Sequence, residues 1–173
     1  MPQAGSNLSR KDRAIVAMLV FYIAVAVTLE LYWILFRTQM LQRHDPLAWL
    51  LSIYWPADRS YRDPTLDHAQ AFVLVLESVN TLFSTWLNLL LIHAIIKGKR
   101  YRHTLQLTLS TYTAYGTFLY YAVTQVNGFA VMNPQDLKSF LLFYVVNAPW
   151  LAGYGYMIYD SIRAIHRQME VVS

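Results

Sequence analysis

Residues 71–96 read AFVLVLESVNTLFSTWLNLLLIHAII and carry only two charged or basic side chains, Glu77 and His93. A run of about 20 apolar residues matches the ~30 Å hydrocarbon core of a bilayer, so this stretch is read as a membrane-crossing helix. Its polar residues are not scattered. Glu77, Asn80, Thr81 and Ser84 fall at i, i+3, i+4 and i+7, which is one helical face. Lipid cannot satisfy those groups, so the face must look onto other helices. One segment therefore predicts both a membrane bundle and a polar interior.

Three more stretches of the same kind flank it. Between Ala14 and Phe36 the only carboxyl or base is Glu30, and there is none between Thr104 and Gln125 or between Ser139 and Tyr159. The predicted spans are 14–36, 70–96, 104–124 and 139–160, an all-α, polytopic, four-helix transmembrane bundle. A 1–13 N-terminal segment precedes the 14–165 domain, and a 166–173 tail follows it. The composition agrees. The chain is 56% hydrophobic and 14% charged, where a soluble domain carries about 25% charged residues. With no cysteine, disulfides and thiolate metal sites are excluded. The first apolar run is too long for a signal-peptide core and lacks a cleavage site, so it is expected to remain as a helix.

Arg10, Lys11 and Arg13 precede the first span; Lys97, Lys99, Arg100 and Arg102 join the second to the third; Arg163 and Arg167 end the chain. The opposite side has Arg37, Arg43, Arg59, Arg62 and Lys138, diluted by Asp45, Asp58, Asp63, Asp67 and Asp136. The positive-inside rule places both termini in the cytoplasm. The net charge of +4 is thus a topology signal, and no basic, aromatic stripe suited to nucleic acid is present. In the first connection, Pro46-Leu47-Ala48-Trp49-Leu50-Leu51-Ser52-Ile53-Tyr54-Trp55 is apolar but too short to span. It is read as an interfacial segment or a cap over the bundle mouth, with Pro56, Asp58 and Pro64 ending any helix after it.

Counting along each span gives the polar residues a depth. Glu30, Glu77, Thr117 and Asn147 each lie about six to eight residues from the non-cytoplasmic end, roughly 10 Å below one interface. Four antiparallel helices thus bring polar side chains into one layer. For the Asn, Thr and Ser residues, simple hydrogen-bonded helix association is the plainer reading. Two carboxyl groups in that layer ask for more, because association does not need ionisable groups and each is expensive at membrane depth. Two close carboxyls in a low dielectric do not readily ionise together, which leaves one as an acid and the other as a base. Trp150 lies one turn beyond Asn147, and Tyr112, Tyr115, Tyr120, Tyr121, Tyr144 and Tyr154 crowd the last two spans. Their ring faces suit a cation, although each tyrosine alone reads as core or interfacial packing. His44, His68, His93, His103 and His166 show no metal-ligand spacing. Asp160 reads as an ion-pair partner of Arg163 or Lys97. No nucleotide or cofactor fingerprint occurs, so neither metal nor cofactor is expected.

The sequence resembles the emopamil-binding protein family, the EXPERA domain, over about residues 20–165. The matching pieces are Leu29-Glu30-Leu31-Tyr32-Trp33, Tyr54-Trp55-Pro56-Ala57-Asp58-Arg59-Ser60-Tyr61, Leu76-Glu77-Ser78, Tyr115-Gly116-Thr117-Phe118-Leu119-Tyr120 and Asn147-Ala148-Pro149-Trp150. The family includes sterol Δ8–Δ7 isomerase and the sigma-2 receptor. The resemblance implies that Glu30 and Glu77 move protons and that Asn147 and Trp150 line the pocket, the Trp facing a cationic centre. Tyr54 and Tyr61 would cap the pocket, with Asn80, Thr117 and Tyr115 completing its wall.

Three departures shape the expectation. The isomerase histidine falls on Ala26, the acidic residue after Tyr-Gly is Thr117, and the extra N-terminal helix of the sterol isomerases has no counterpart. Losing the histidine removes one proton carrier from the sterol double-bond shift. The carboxyl pair still suits alkene shift, epoxide opening or cyclisation. The expected activity is a cofactor-independent isomerase or cyclase acting on a sterol- or terpenoid-like substrate in a specialised terpenoid pathway, in the endoplasmic reticulum membrane. The alternative is a non-catalytic protein that binds sterols or cationic amphiphiles, like the sigma-2 receptor. The partners implied are the lipophilic ligand and membrane lipid, with no nucleic acid, and a homodimer is compatible with the pattern.

Overall fold

A computed structural model describes residues 8–62 and 67–170; Asp63 and Pro64 of the first connection lie outside it, as do the first seven residues and the last three. Among the described residues every regular element is helical. Four long helices run alternately up and down: α1 (Arg10–Gln42), α3 (His68–Ile96), α4 (Arg102–Val126) and α5 (Leu137–Glu170). A short helix, α2 (Pro46–Tyr54), lies in the first connection.

Three of these, α1, α3 and α5, are long and apolar enough to cross a membrane. The fourth expected span falls on α4, a helix of 25 residues that reaches about 37 Å at 1.5 Å per residue but is not among the three apolar enough to cross. It is less apolar for a visible reason. Gln106, Ser110, Thr113, Tyr120 and Thr124 are all buried on its inner face, while Tyr112, Tyr115 and Phe118 are exposed on the outer one. Outward-facing Phe21 and Leu35 on α1, Leu82, Phe83 and Trp86 on α3, and Val145 and Ile162 on α5 complete an apolar perimeter. A water-soluble bundle would place polar groups there.

Two apolar clusters occupy opposite halves of the bundle. One gathers Tyr32, Trp33, Met40, Ala48, Ala57, Val73, Tyr120 and Phe143 under α2. The other gathers Ile15, Leu19, Tyr22, Leu91, Leu109, Tyr154 and Met157 at the end that holds the described terminal segments. At that end Lys11 Nζ pairs with Asp160 at 2.6 Å, and Arg102 pairs with Asp12. Asp160 therefore takes Lys11 instead of the expected Arg163 or Lys97, because α1 starts beside the end of α5. Gly98 closes α3 with φ of +56°, the left-handed cap that lets the chain turn at once into α4.

Backbone irregularities fall in the middle of two spans. Ala26–Glu30 in α1 and Asn80–Ser84 in α3 are π-turns, in which Leu31 N–H bonds Ala26 O and Thr85 N–H bonds Asn80 O, five residues back. Thr81 Oγ1 on the second π-turn donates to Ala26 O on the first, at 3.5 Å. Such single-turn bulges are rare and concentrate at functional sites.

Candidate functional site

The two π-turns bring the carboxyl groups together. Glu30 ends the first, Glu77 lies one turn before the second, and the two groups meet within hydrogen-bonding reach. Thr81 Oγ1 donates to Glu30 Oε2 at 3.3 Å. Tyr61, brought over from the first connection, donates its hydroxyl to Glu77 Oε1, and Asn80 lies one turn further along the same face of α3. Tyr61 itself is clamped. Its carbonyl accepts from Trp33 Nε1 at 2.9 Å, and its ring meets Trp33 and, edge-on, Tyr54. Burial pushes the Tyr61 phenol well above its ordinary value, so it stays protonated as a donor.

The pair opens into a cavity of about 290 Å³ between α1, α2, α3, α4 and α5. Of the residues expected at the site, Glu30, Glu77, Asn80, Thr117, Asn147, Trp150, Tyr54 and Tyr61 all line it, with Leu and Val side chains between them. Tyr115 does not. It is 59% exposed on the perimeter, because two residues of helix turn it about 200° from Thr117. The segment 46–54 folds as α2, its start set by Asp45, which accepts from Leu47 N–H and Ala48 N–H, and by Pro46. Leu50, Leu51, Ile53 and Tyr54 of α2 form the lid of the cavity.

Opposite the carboxyls, Asn147 Nδ2 donates to Tyr54 Oη and to Phe143 O, both at 2.8 Å. Its amide hydrogens are committed, which leaves Oδ1 as an acceptor toward the cavity. Trp150 stacks on Tyr22 with ring centres 5.4 Å apart, and Tyr22 Oη anchors to Pro149 O at 2.7 Å. The indole is thereby fixed with an edge or face available to a ligand.

One buried group escaped the sequence reading as a site residue. Asp58, fully buried, accepts Ser60 N–H at 2.8 Å, Ser60 Oγ–H at 2.5 Å and the Tyr120 hydroxyl. Tyr120 is 3.1 Å from Tyr54 Oη, so the chain Asp58–Tyr120–Tyr54–Asn147 runs behind the cavity wall. Burial pushes the Asp58 carboxyl up, against the hydrogen bonds from Ser60 and Tyr120 that pull it down. Asp58 stands in a loop between two prolines in sequence, where helix-breaking was the visible signal; its spacing from Tyr54 and Tyr61 was the only hint of the fold-back.

An all-α membrane bundle enclosing a ligand-sized cavity with paired carboxyls defines the class. Residues 46–161 match the family model of EXPERA (EXPanded EBP superfamily), and the chain belongs to that family. The family includes sterol isomerases and sigma-2-receptor-like proteins, and is associated with lipophilic, sterol-like ligands in membranes. No curated protein sequence gives a significant match. The matched range begins at α2 and leaves out α1, so Glu30 is joined to the site by the fold and not by the family match.

Proposed function

We propose that this chain is an intramembrane, cofactor-independent isomerase or cyclase for a sterol- or terpenoid-like substrate. The observation that carries the reading is the Glu30–Glu77 contact at the wall of an otherwise apolar cavity. One carboxylic acid gives its proton to an alkene carbon or an epoxide oxygen of the substrate, generating a tertiary cation. The other, as carboxylate, removes a proton from a neighbouring carbon, forming the new double bond. No net proton is consumed, so the two carboxyls balance the reaction between them. Tyr61 holds Glu77, and Thr81 holds Glu30. The Trp150 ring steadies the cation, and Asn147 Oδ1 accepts the substrate's hydroxyl.

The chain is read with α4 as a fourth span, with both termini cytoplasmic and in the endoplasmic reticulum membrane; the basic residues gathered around Lys11, Arg102 and Arg163 support that orientation. The second reading is a receptor for sterols or cationic amphiphiles. It is favoured by Ala26, which occupies the histidine position of the isomerases.

The decisive experiment supplies membranes containing wild type, Glu30→Gln or Glu77→Gln with sterols and terpenoid epoxides in deuterated water. A rearranged product carrying solvent deuterium, reduced about 100-fold or more in both variants, is the expected result. Tight binding of a panel member with no product from any of them sinks the enzyme reading and leaves the receptor.

A further inference from the structure

Beyond the cavity, polar side chains are buried among the apolar residues of the Leu91, Leu109 and Met157 cluster. From the carboxyl layer toward the end where Lys11 pairs with Asp160, α3 buries Thr81, Ser84 and Asn88, α4 buries Thr113, Ser110 and Gln106, and α5 buries Ser161 and Asp160. On α4 the distance from Thr117, at the cavity, to Gln106 is eleven residues, about 16 Å. Polar residues at a helix contact in lipid ordinarily satisfy themselves, most simply by bonding a carbonyl one turn back. Thr113, Thr117 and Thr124 do this, bonding Leu109 O, Thr113 O and Tyr120 O. Ser84 Oγ, Ser110 Oγ and Ser161 Oγ do not, nor do Asn88 Oδ1 and Gln106 Oε1 find any protein partner.

These five unpartnered atoms are not spread at random. Ser84 and Asn88 are one turn apart on α3, as are Gln106 and Ser110 on α4. The Tyr154 hydroxyl faces Asn88 and Thr113 and lies within electrostatic reach of Glu30. At the far end Gln106 Nε2 donates to Asp160 Oδ2 at 3.1 Å, and Lys11 holds the other carboxylate oxygen. His103 also stands near that carboxylate. Buried polar groups in native proteins are almost always satisfied by protein or by ordered water, and a buried water needs two to four polar partners. Unpartnered acceptors recurring on α3, α4 and α5 along this length are the partners a chain of waters requires.

We infer that this seam is a hydrated proton path joining the Glu30–Glu77 pair to Asp160 at the Lys11 end of the bundle. It rests on the acid–base reading of the pair. A turnover leaves the donor carboxyl deprotonated and the acceptor protonated, and the path restores both from outside the cavity while the lipophilic substrate fills it. Each hop breaks one O–H bond and forms another. A proton delivered to the carboxyl that has given one up is matched by one taken up at Asp160, and the reverse sequence discharges the carboxyl that has received one. Ser110 Oγ–H and the waters carry the hops, while Asn88 Oδ1 and Gln106 Oε1 accept from those waters and hold them in line.

The test is infrared exchange on the full chain in lipid nanodiscs. The carbonyl stretch of the protonated carboxyl is assigned by its loss in Glu30→Gln and Glu77→Gln, and its shift is followed after a jump into deuterated water. In Ser110→Val and Asn88→Leu the exchange is expected to slow by about tenfold or more, the rate effect of one lost hydrogen-bonding station. Ser110→Thr, which keeps a hydroxyl, restores it. Gln106→Leu, remote from the carboxyls, slows it too, which separates a blocked path from a misfolded core. Exchange at the wild-type rate in both Ser110→Val and Gln106→Leu overturns the path and routes protons through the cavity. A carboxyl band that answers to neither glutamate overturns the acid–base reading itself, and the path with it.

Discussion

Two aspartates that look alike in sequence behave oppositely. Asp58 is fully buried with three donors aimed at it, and its role is to hold the Tyr61 segment against the bundle so that Tyr61 reaches Glu77. Asp58→Ala leaves Ser60 without an acceptor and Tyr120 with only Tyr54 Oη, and is expected to cost about 1–3 kcal/mol, read by thermal unfolding in detergent. Tyr120→Phe should cost about 1 kcal/mol, and the pair of changes should be less than additive because they remove one shared bond. Asp45 is instead half-buried at the start of α2, accepting Tyr32 Oη–H at 2.5 Å and Arg43 Nε–H at 2.9 Å. The Tyr32 hydrogen bond, with the Ala48 N–H and Arg43, holds its carboxyl down to about 2 from an ordinary 3.8. A depressed carboxyl stabilises the fold fully above its ordinary value, and that contribution is lost as pH falls toward the folded one. Between pH 3.8 and about 2, the melting temperature of the wild type should therefore drop more steeply than that of Asp45→Asn.

Among the elements, the junction of α1 with α5 leaves no room for a side chain at Gly153. A Cβ on Gly153 would sit 2.5 Å from Met18 Sδ and closer still to the Tyr22 hydroxyl. Tyr22 cannot retreat freely, since it bonds Pro149 O and stacks on both Trp150 and Tyr154. Gly153→Ala is expected to destabilise by about 1–3 kcal/mol as an overpacked contact, and to weaken ligand binding by unseating Trp150. Gly155, two residues on, has open space around it. Gly155→Ala should be neutral or gain up to about 1 kcal/mol from helix propensity. Unfolding and ligand titration of the two variants side by side make the comparison. The π-turns belong to the same scale. Each inserts one residue into a span, so Glu30 and Asn80 face inward without disturbing the apolar registers on either side. Their hydrogen-bond shift leaves no residue-type signature, which is why the sequence does not announce them.

Across the whole molecule, the alternation of long helices puts the 97–101 turn and the chain's end on one side, and the 127–136 turn on the other. Because the chain has no cysteine, single cysteines report topology cleanly. Arg100→Cys and Gln168→Cys should react together with an impermeant reagent from the cytoplasmic face, and Gln135→Cys only from the opposite face. Much of the architecture was readable because lipid leaves little choice: apolar length marked α1, α3 and α5 as able to cross, and the shared level of Glu30, Glu77, Thr117 and Asn147 along their helices matches the one cavity they line. What escaped depends on the third dimension. The fold-back that buries Asp58 is made by loop contacts such as Arg59 N–H to Val131 O at 2.8 Å, which no periodicity encodes. Tyr115 failed because aromatic content does not reveal which way a ring turns. The polar stripe of α4 also bears on how the protein is made. A segment carrying Gln106, Ser110, Thr113 and Thr124 along one side gains little by partitioning alone into lipid from the insertion machinery. Its most extensive partner is α5, which follows after a short turn. Biogenesis therefore calls for the two to enter as a hairpin, with α4 held back until its successor has been synthesised.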